Sequence, residues 1–295
     1  MQKRILAFVY DEDGGWSTGE WEVITAGAVA IGVGLYQHLE VTYQDDTSPP
    51  SFRKRITVQH DGIDTDLVAP KPDAVLELDT GITLTRDDEV ITFINSNLEP
   101  YRGYHIFMRA LPELLKKRPN AQVIMLGSDE TSYGARPPKG KTWKQIFIDE
   151  VRDKISDQDW TRVHYLGCVP YDRFLSMMQV SRVHIYLTYP FVLSWSLLEA
   201  MSVGVAIVAS DTLPVKEAMV DGETELFVDF FDQVGLVEKT CQLLDDAVLR
   251  EKLGTAARQY IVGHYDLKRT CLPKNLEWVD QLAKQPVLGP DQVIS

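Results

Sequence analysis

Residues 191–204 read FVLSWSLLEAMSVG, an apolar run that carries a single acidic residue, Glu199. A carboxylate inside a buried helix is costly unless something pairs with it. VHIYLTY (183–189) before the run and VAIVAS (205–210) after it both read as strands. Ser194 stands where the helix would start and Gly204 where it would stop, because hydroxyls cap N-termini and glycine takes the left-handed turn at C-termini. A helix that follows a strand in this way presents its unpaired N–H groups, with their partial positive charge, to the carboxyl edge of a sheet. An anion such as a phosphate is well accommodated there, with Ser194 and Ser196 as added hydroxyl donors. Ser194 could equally be no more than the cap. Glu199 has two readings as well: a structural carboxylate with a partner, or an acceptor for vicinal hydroxyls such as those of a ribose.

The same alternation extends in both directions. EVITFINSN (89–97), AQVIMLG (121–127), RVHYLG (162–167) and ELFVDF (225–230) read as strands. YHIFMRALPELLKKRP (104–119), TWKQIFIDEVRDKI (142–155), YDRFLSMMQVS (171–181), PVKEAMV (214–220), QVGLVEKTCQLL (233–244) and DAVLREKLGTAARQYIVGHY (246–265) read as helices. The strands are near-continuous apolar runs, as in a sheet covered on both faces. The fold class is therefore α/β, a doubly wound parallel sheet that binds ligands at the carboxyl ends of its strands. Residues 1–55 open on the strand-like KRILAFVY and close in a Pro/Ser-rich linker; residues 56–270 form the main domain; residues 271–295 are a helix and a loose tail.

A chain of 295 residues with 44% hydrophobic content is long enough for a sizeable core. The net charge of −13 argues against general nucleic-acid binding, which needs a basic surface. Cys168, Cys241 and Cys271 lack a C-x-x-C spacing and read as free thiols in a reducing compartment, and no zinc site is expected. The N-terminus does not read as a secretory signal, and the uncharged stretch at residues 23–39 falls short of a membrane span.

SLLEAMSVGVAIVASDTLPVKEAMVDGETELFV (196–228) resembles the donor-binding region of the family 4 glycosyltransferases, whose fold is called GT-B. ITVQHDGIDTDLVAP (56–70) is similar to that family's interdomain segment, residues 93–127 to its diphosphate-holding strand, loop and helix, and residues 162–191 to the region beside the nucleotide base. The resemblance implies a Rossmann-like donor-binding domain, with Glu199 on the ribose hydroxyls, Arg102 on the donor diphosphate, amides near Trp195, Ser196 and Leu197 on phosphate oxygens, and Val169 and Pro170 against the base. It implies a retaining transferase that moves a sugar from a nucleotide-diphosphate sugar to an unidentified carbohydrate, lipid or protein acceptor. No cofactor or metal is expected, and the location is cytoplasmic or at the inner membrane surface.

Three departures stand out. Phe191 occupies the place of the first Glu of the family's Glu-x7-Glu motif, which normally contacts the donor sugar. Asn97 occupies the place of an Arg of the diphosphate clamp, beside the neutral Ser96. The segment before the interdomain motif reads as a truncated N-terminal acceptor domain. A second reading follows, in which the chain is a non-catalytic nucleotide-sugar-binding module or a donor half that needs a partner chain. Such a partner, or residues 1–40, or the chain's own domain would cover the apolar face of LKRTCLPKNLEWVDQLA (267–283). Among further candidates, His60, Asp61 and His105 read as structural residues more readily than as bases. Asp211 and Glu217 flank the donor edge.

Overall fold

The computed structural model describes residues 4–10, 16–22, 60–132, 134–189 and 193–284. The expectations placed on residues 23–55, on Phe191 and on the tail after residue 284 lie outside the described residues. The chain divides into two compact units, Thr65–Val262 and a second made of Met1–Asp64 with Gly263–Ser295.

In the larger unit, β5 (Val90–Asn97), β6 (Gln122–Ser128), β7 (Val163–Gly167), β8 (Val183–Tyr186), β9 (Ala206–Ser210) and β10 (Leu226–Val228) form a six-stranded sheet in the order β10-β9-β8-β5-β6-β7. Every pairing in it is parallel. The chain runs from β5 outward to β7, crosses back, and runs outward again from β8 to β10. The order therefore reverses between β5 and β8, where doubly wound sheets hold their ligands. α1 (Tyr104–Lys117) packs against α2 (Trp143–Val151) and α7 (Gln233–Asp245). α4 (Tyr171–Val180) packs against α5 (Trp195–Val203). These two groups make the helical layers on the sheet's faces, and the short α3 (Asp157–Trp160), α6 (Leu213–Lys216) and long α8 (Ala247–His264) complete the unit. Phe93, Phe107, Leu111, Val123, Met125 and Ile185 lie in the core at 0% exposure, as continuous apolar strands require.

Polar residues within these strands bond to one another and to their neighbours, while the buried His184 Nε2 is left without a partner. Thr92 Oγ1 lies 2.9 Å from Ser181 Oγ and 3.0 Å from His184 Nδ1, and burial pushes His184 down to about 3, so its ring is neutral. His164 Nε2 meets Gln122 Oε1 at 2.8 Å.

The sequence pattern missed several elements, the short α3 among them. β3 (Val75–Glu77) and β4 (Thr83–Thr85) form a small antiparallel hairpin against α4, turned at Gly81 with φ 82°. Each strand contributes a single buried side chain, Leu76 and Leu84, which is too short a signal for a period-2 reading. The helix expected over 214–220 stops at Lys216, and a turn follows in which Thr224 Oγ1 accepts the Val220 N–H at 2.8 Å. The helix expected over 142–155 gives way to a 3₁₀ turn at Arg152–Lys154.

The rear of α5 is tightly held. Gly204 caps it in the left-handed region at φ 76°. A Cβ placed on Gly254 of α8 would lie 2.1 Å from the Gly204 carbonyl oxygen, so the backbones meet where only glycine fits. Arg258, one turn further along α8, donates to the carbonyls of Thr65 and Val68, each at 3.1 Å, and to that of Ser202.

In the second unit, β1 (Arg4–Tyr10) and β2 (Trp16–Glu22) pair as an antiparallel hairpin. Ile63 bridges to Asp266, a π turn at Leu267–Cys271 follows, and α9 (Leu272–Lys284) carries exposed Leu272 and Leu276. No helix of the described residues is long and apolar enough to cross a membrane.

Gly254→Ala is expected to lower the melting temperature, at a cost of about 1–3 kcal/mol, because the methyl group would be driven into backbone. A thermal melt that is unchanged would show that α5 and α8 can separate freely. Glu225 supplies a second test. It is fully buried, Thr224 Oγ1 donates to its carboxyl, and burial pushes it up to about 8. A carboxyl raised in the folded state contributes its stability below the unfolded pKa, and that stability is lost as pH rises through about 8. Glu225→Gln is therefore expected to melt above the wild type at pH ~8 and to lose that advantage near pH ~5.

Candidate functional site

The site grows from the loop that leaves β5. The strand ends at Asn97, a 3₁₀ turn spans Pro100–Arg102, and Gly103 starts α1 at φ 75°. A Cβ on Gly103 would lie 2.2 Å from Leu187 Cβ, so glycine alone lets this loop press against the end of β8. Tyr189 N–H donates to the Tyr101 carbonyl at 3.1 Å and fastens the two loops together.

Arg102 is buried at 9% exposure. Its Nη1 donates to Thr188 Oγ1 at 3.0 Å, and its carbonyl accepts from Asn95 Nδ2 at 3.3 Å. Asn97 is used differently. Its amide oxygen accepts from Ser128 Oγ and its amide nitrogen donates to Ser132 Oγ, which ties the end of β5 to the end of β6 and the loop beyond. Glu99 completes that tie by accepting the N–H groups of Ser132 at 3.4 Å and Gly134 at 3.3 Å. Ser96 beside them is exposed.

Across the switch point stands the N-terminus of α5. Ser194 is its cap: the hydroxyl accepts the Ser196 N–H at 3.3 Å and lies 2.8 Å from Ser196 Oγ. The Ser194 N–H donates to the Tyr186 hydroxyl at 3.1 Å, and the Leu197 N–H donates to the Ser194 carbonyl at 3.1 Å. Leu197 is buried, while Trp195 is exposed at the mouth. The structure thus ties Arg102, through Thr188, and Ser194, through Tyr186, to the end of β8 and the residues just after it, a convergence that the sequence does not announce.

Glu199 lies one turn into α5 at 8% exposure, and the partner its burial demands is Tyr171. Tyr171 donates its hydroxyl proton to Glu199 Oε1 at 2.6 Å. Burial raises the carboxyl's pKa and this hydrogen bond opposes the rise. Tyr171 opens α4 directly after half-buried Val169 and exposed Pro170, so Glu199 is joined to the loop that leaves β7. The adjacency of Tyr171 to that loop was the available signal.

The remaining candidates fall elsewhere. His105 packs its ring on Phe147 and Phe230, with centroids 5.7 and 5.8 Å away, and burial lowers it to about 4. His60 and Asp61 belong to the second unit: the His60 ring lies 4.6 Å from that of Tyr265, and Asp61 accepts the Gly62 N–H at 3.1 Å. Asp211 pairs with Lys216, and Glu217 is exposed. An aromatic group unmarked in the sequence, Tyr101, Tyr189, Phe230 and Phe231, gathers at the ends of β8 and β10. Among the described residues, no group of three or more His, Cys, Asp or Glu could hold a metal ion. Chemically, a fixed cation and the positive end of a helix dipole suit an anion, and a buried carboxyl suits hydroxyls.

Residues 78–260 match the protein family described as Glycosyl transferases group 1. The D-inositol 3-phosphate glycosyltransferase of Corynebacterium efficiens is 25% identical over 211 residues, which cover 70% of this chain and 46% of that protein. The chain thus spans about half the length of the curated relatives it matches. HepE of Anabaena, solved in complex with UDP and glucose, superposes with a TM-score of 0.61 at 18% identity, over 78% of this chain and 57% of its own. The C-terminal domain of a group 1 family glycosyl transferase from Francisella tularensis superposes with a TM-score of 0.58 at 18% identity, over 70% of this chain and 100% of that domain. The fold is the GT-B type of α/β sheet.

Tyr171→Phe removes the proton that Glu199 Oε1 accepts. It is expected to raise the Glu199 titration further and to cost about 1–2 kcal/mol at neutral pH. Carboxyl NMR across a pH series and denaturant unfolding read these two effects. A titration that stays in place would show that Tyr171 does not hold the carboxylate.

Proposed function

The chain belongs to the glycosyl transferases group 1 family, and we propose that it is the donor-binding part of a retaining, family 4 transferase. Its ligand is a nucleotide-diphosphate sugar held at the carboxyl edge of the sheet. The observation that carries this reading is the convergence of buried Arg102 and the N-terminus of α5 at the switch point.

The roles follow from the chemistry of the leaving group. A departing nucleoside diphosphate gains negative charge, which a preorganised cation and helix amides stabilise. Arg102 supplies the cation, and the amides near Trp195, Ser196 and Leu197 supply the dipole. This scheme assigns no metal. Glu199 accepts from the ribose hydroxyls through Oε2 while Oε1 stays with Tyr171. Val169 and Pro170 pack on the base. Acceptor-binding groups come from another domain or a partner chain, and the acceptor is a carbohydrate, a lipid or a protein.

Asn97 favours a second reading. Both ends of its amide are engaged by serines, so the position where the resemblance implies a basic residue offers no second cation. A chain with half of the diphosphate clamp could bind the donor without turning it over.

Calorimetric titration with UDP, GDP and ADP tests the donor site, and incubation with radiolabelled donor sugars separates transfer or hydrolysis from binding alone. Glu199→Ala is expected to weaken the preferred nucleotide by about 1–3 kcal/mol; unchanged affinity would remove the ribose assignment. Arg102→Ala is expected to weaken the diphosphate more than the nucleoside, and an equal loss for both would make Arg102 structural.

A further inference from the structure

The aromatic group at the carboxyl edge of the sheet is only partly buried. Phe230 sits in the core at 6% exposure, whereas Tyr189 is 45% and Phe231 60% exposed. Phe230 packs T-shaped against both of them, at 90° to Tyr189 and 87° to Phe231. The rings of Tyr189 and Phe231, with centroids 6.3 Å apart, cross at 80° and form an open corner rather than a flat stack. The backbone beneath each ring is fixed. Tyr189 N–H donates to the carbonyl of Tyr101, the residue before Arg102, at 3.1 Å. Phe231 N–H donates to Asp229 Oδ1 at 2.9 Å, and the Phe231 carbonyl accepts the Gln233 N–H at 3.1 Å. Two exposed carboxylates stand on the same turn as Phe231: Asp229, and Asp232, which caps α7 through Gly235 N–H at 2.9 Å.

We infer that Tyr189 and Phe231 are specificity-determining residues for the sugar of the donor, and that their corner takes a pyranose ring by its C–H face. The inference rests on the donor-site reading above and deepens it. The strand order β10-β9-β8-β5-β6-β7 gives the direction. In that reading the base lies at the β7 end and the diphosphate at the junction of β5 and β8, so the sugar beyond the diphosphate continues toward β8 and β10. Tyr189 and Phe231 follow those two strands, which lie two sheet spacings, about 10 Å, apart. The hydrogens on a pyranose face carry partial positive charge and suit the negative face of an aromatic ring. The hydroxyls project from the ring's edge, where Asp229 and Asp232 can accept them, because a carboxylate whose one oxygen holds a backbone N–H has a second oxygen to offer. A lipid chain would use the rings and not the carboxylates, and aromatics needed only for the core would be covered, as Phe230 is.

The test compares the full chain with Tyr189→Ala, Phe231→Ala and Phe231→Leu, the last of which keeps an apolar side chain and removes only the ring. Affinities are measured by calorimetry for the pairs UDP and UDP-glucose, GDP and GDP-mannose, with thermal melts alongside to show that each variant is folded. The expected result is that all three variants bind the bare nucleotide as the wild type does and bind the nucleotide sugar roughly three- to tenfold more weakly, the loss expected for an aromatic contact. Equal weakening of nucleotide and nucleotide sugar would mean that the rings only brace the Arg102 loop, and it overturns the inference. An unchanged affinity for the nucleotide sugar overturns it as well. Phe231→Leu that holds the nucleotide sugar as tightly as the wild type does overturns the stacking, since a merely apolar contact would then suffice. A wild-type chain that binds none of the nucleotides overturns the donor-site reading itself, and that outcome is visible before any variant is made.

Discussion

The parallel pairing of β5 with β8, which sets Ile91 against Val183 and Phe93 against Ile185, is the joint on which the rest of the molecule depends. Strands β6 and β7 build outward on one side of it, and β9 and β10 on the other. Because parallel strands end together, the loops that leave β5 and β8 emerge side by side and must share space. Gly103 makes that possible against Leu187, and the Tyr101–Tyr189 backbone bond seals it. A side chain at position 103 would lever the loops apart, and with them the cation and the helix that meet there.

Much of this was legible in the sequence because it is local. The apolar runs of β5, β6, β8 and β9, the Ser194 cap and the Gly204 stop are written in consecutive residues. The position of Arg102 after the first strand could also be matched motif by motif. What stayed hidden is non-local. Tyr171 reaches Glu199 across 28 positions and Thr188 reaches Arg102 across 86, and no periodicity records which phenol or hydroxyl will be waiting. Asn97 shows the limit most clearly: the sequence reports a missing positive charge, and only the fold reveals that its amide has become a strut between strand ends. The hairpin at β3 and β4 escaped for a different reason, since two buried leucines are too few to make a pattern.

The electrostatics reconcile an acidic protein with the proposed anion site. A net charge of −13 repels extended polyanions over distances comparable to the screening length. At the switch point the relevant charges are a buried guanidinium and the N-terminal amides of a helix, which act over a few ångströms and are screened little. On the proposed reading, a compact diphosphate is met by these short-range groups, whereas an extended polyanion is met by the net charge. Tyr171 has a related part on the other side, because its hydrogen bond opposes the rise that burial imposes on the Glu199 carboxyl.

The clamp behind α5 has a consequence for the energetics of recruitment. Arg258 gathers three backbone carbonyls at the rear of the helix, and the Gly204–Gly254 approach leaves the helix no room to recoil. The front end is held by the Tyr186 oxygen. A helix fixed at both ends behaves as a stiff spar whose orientational freedom is already gone when an anion arrives. The ordering entropy was lost during folding, so in the proposed donor site an encounter would demand little reorganisation of the backbone, and the field at the tip would be the same whichever sugar the anion carried.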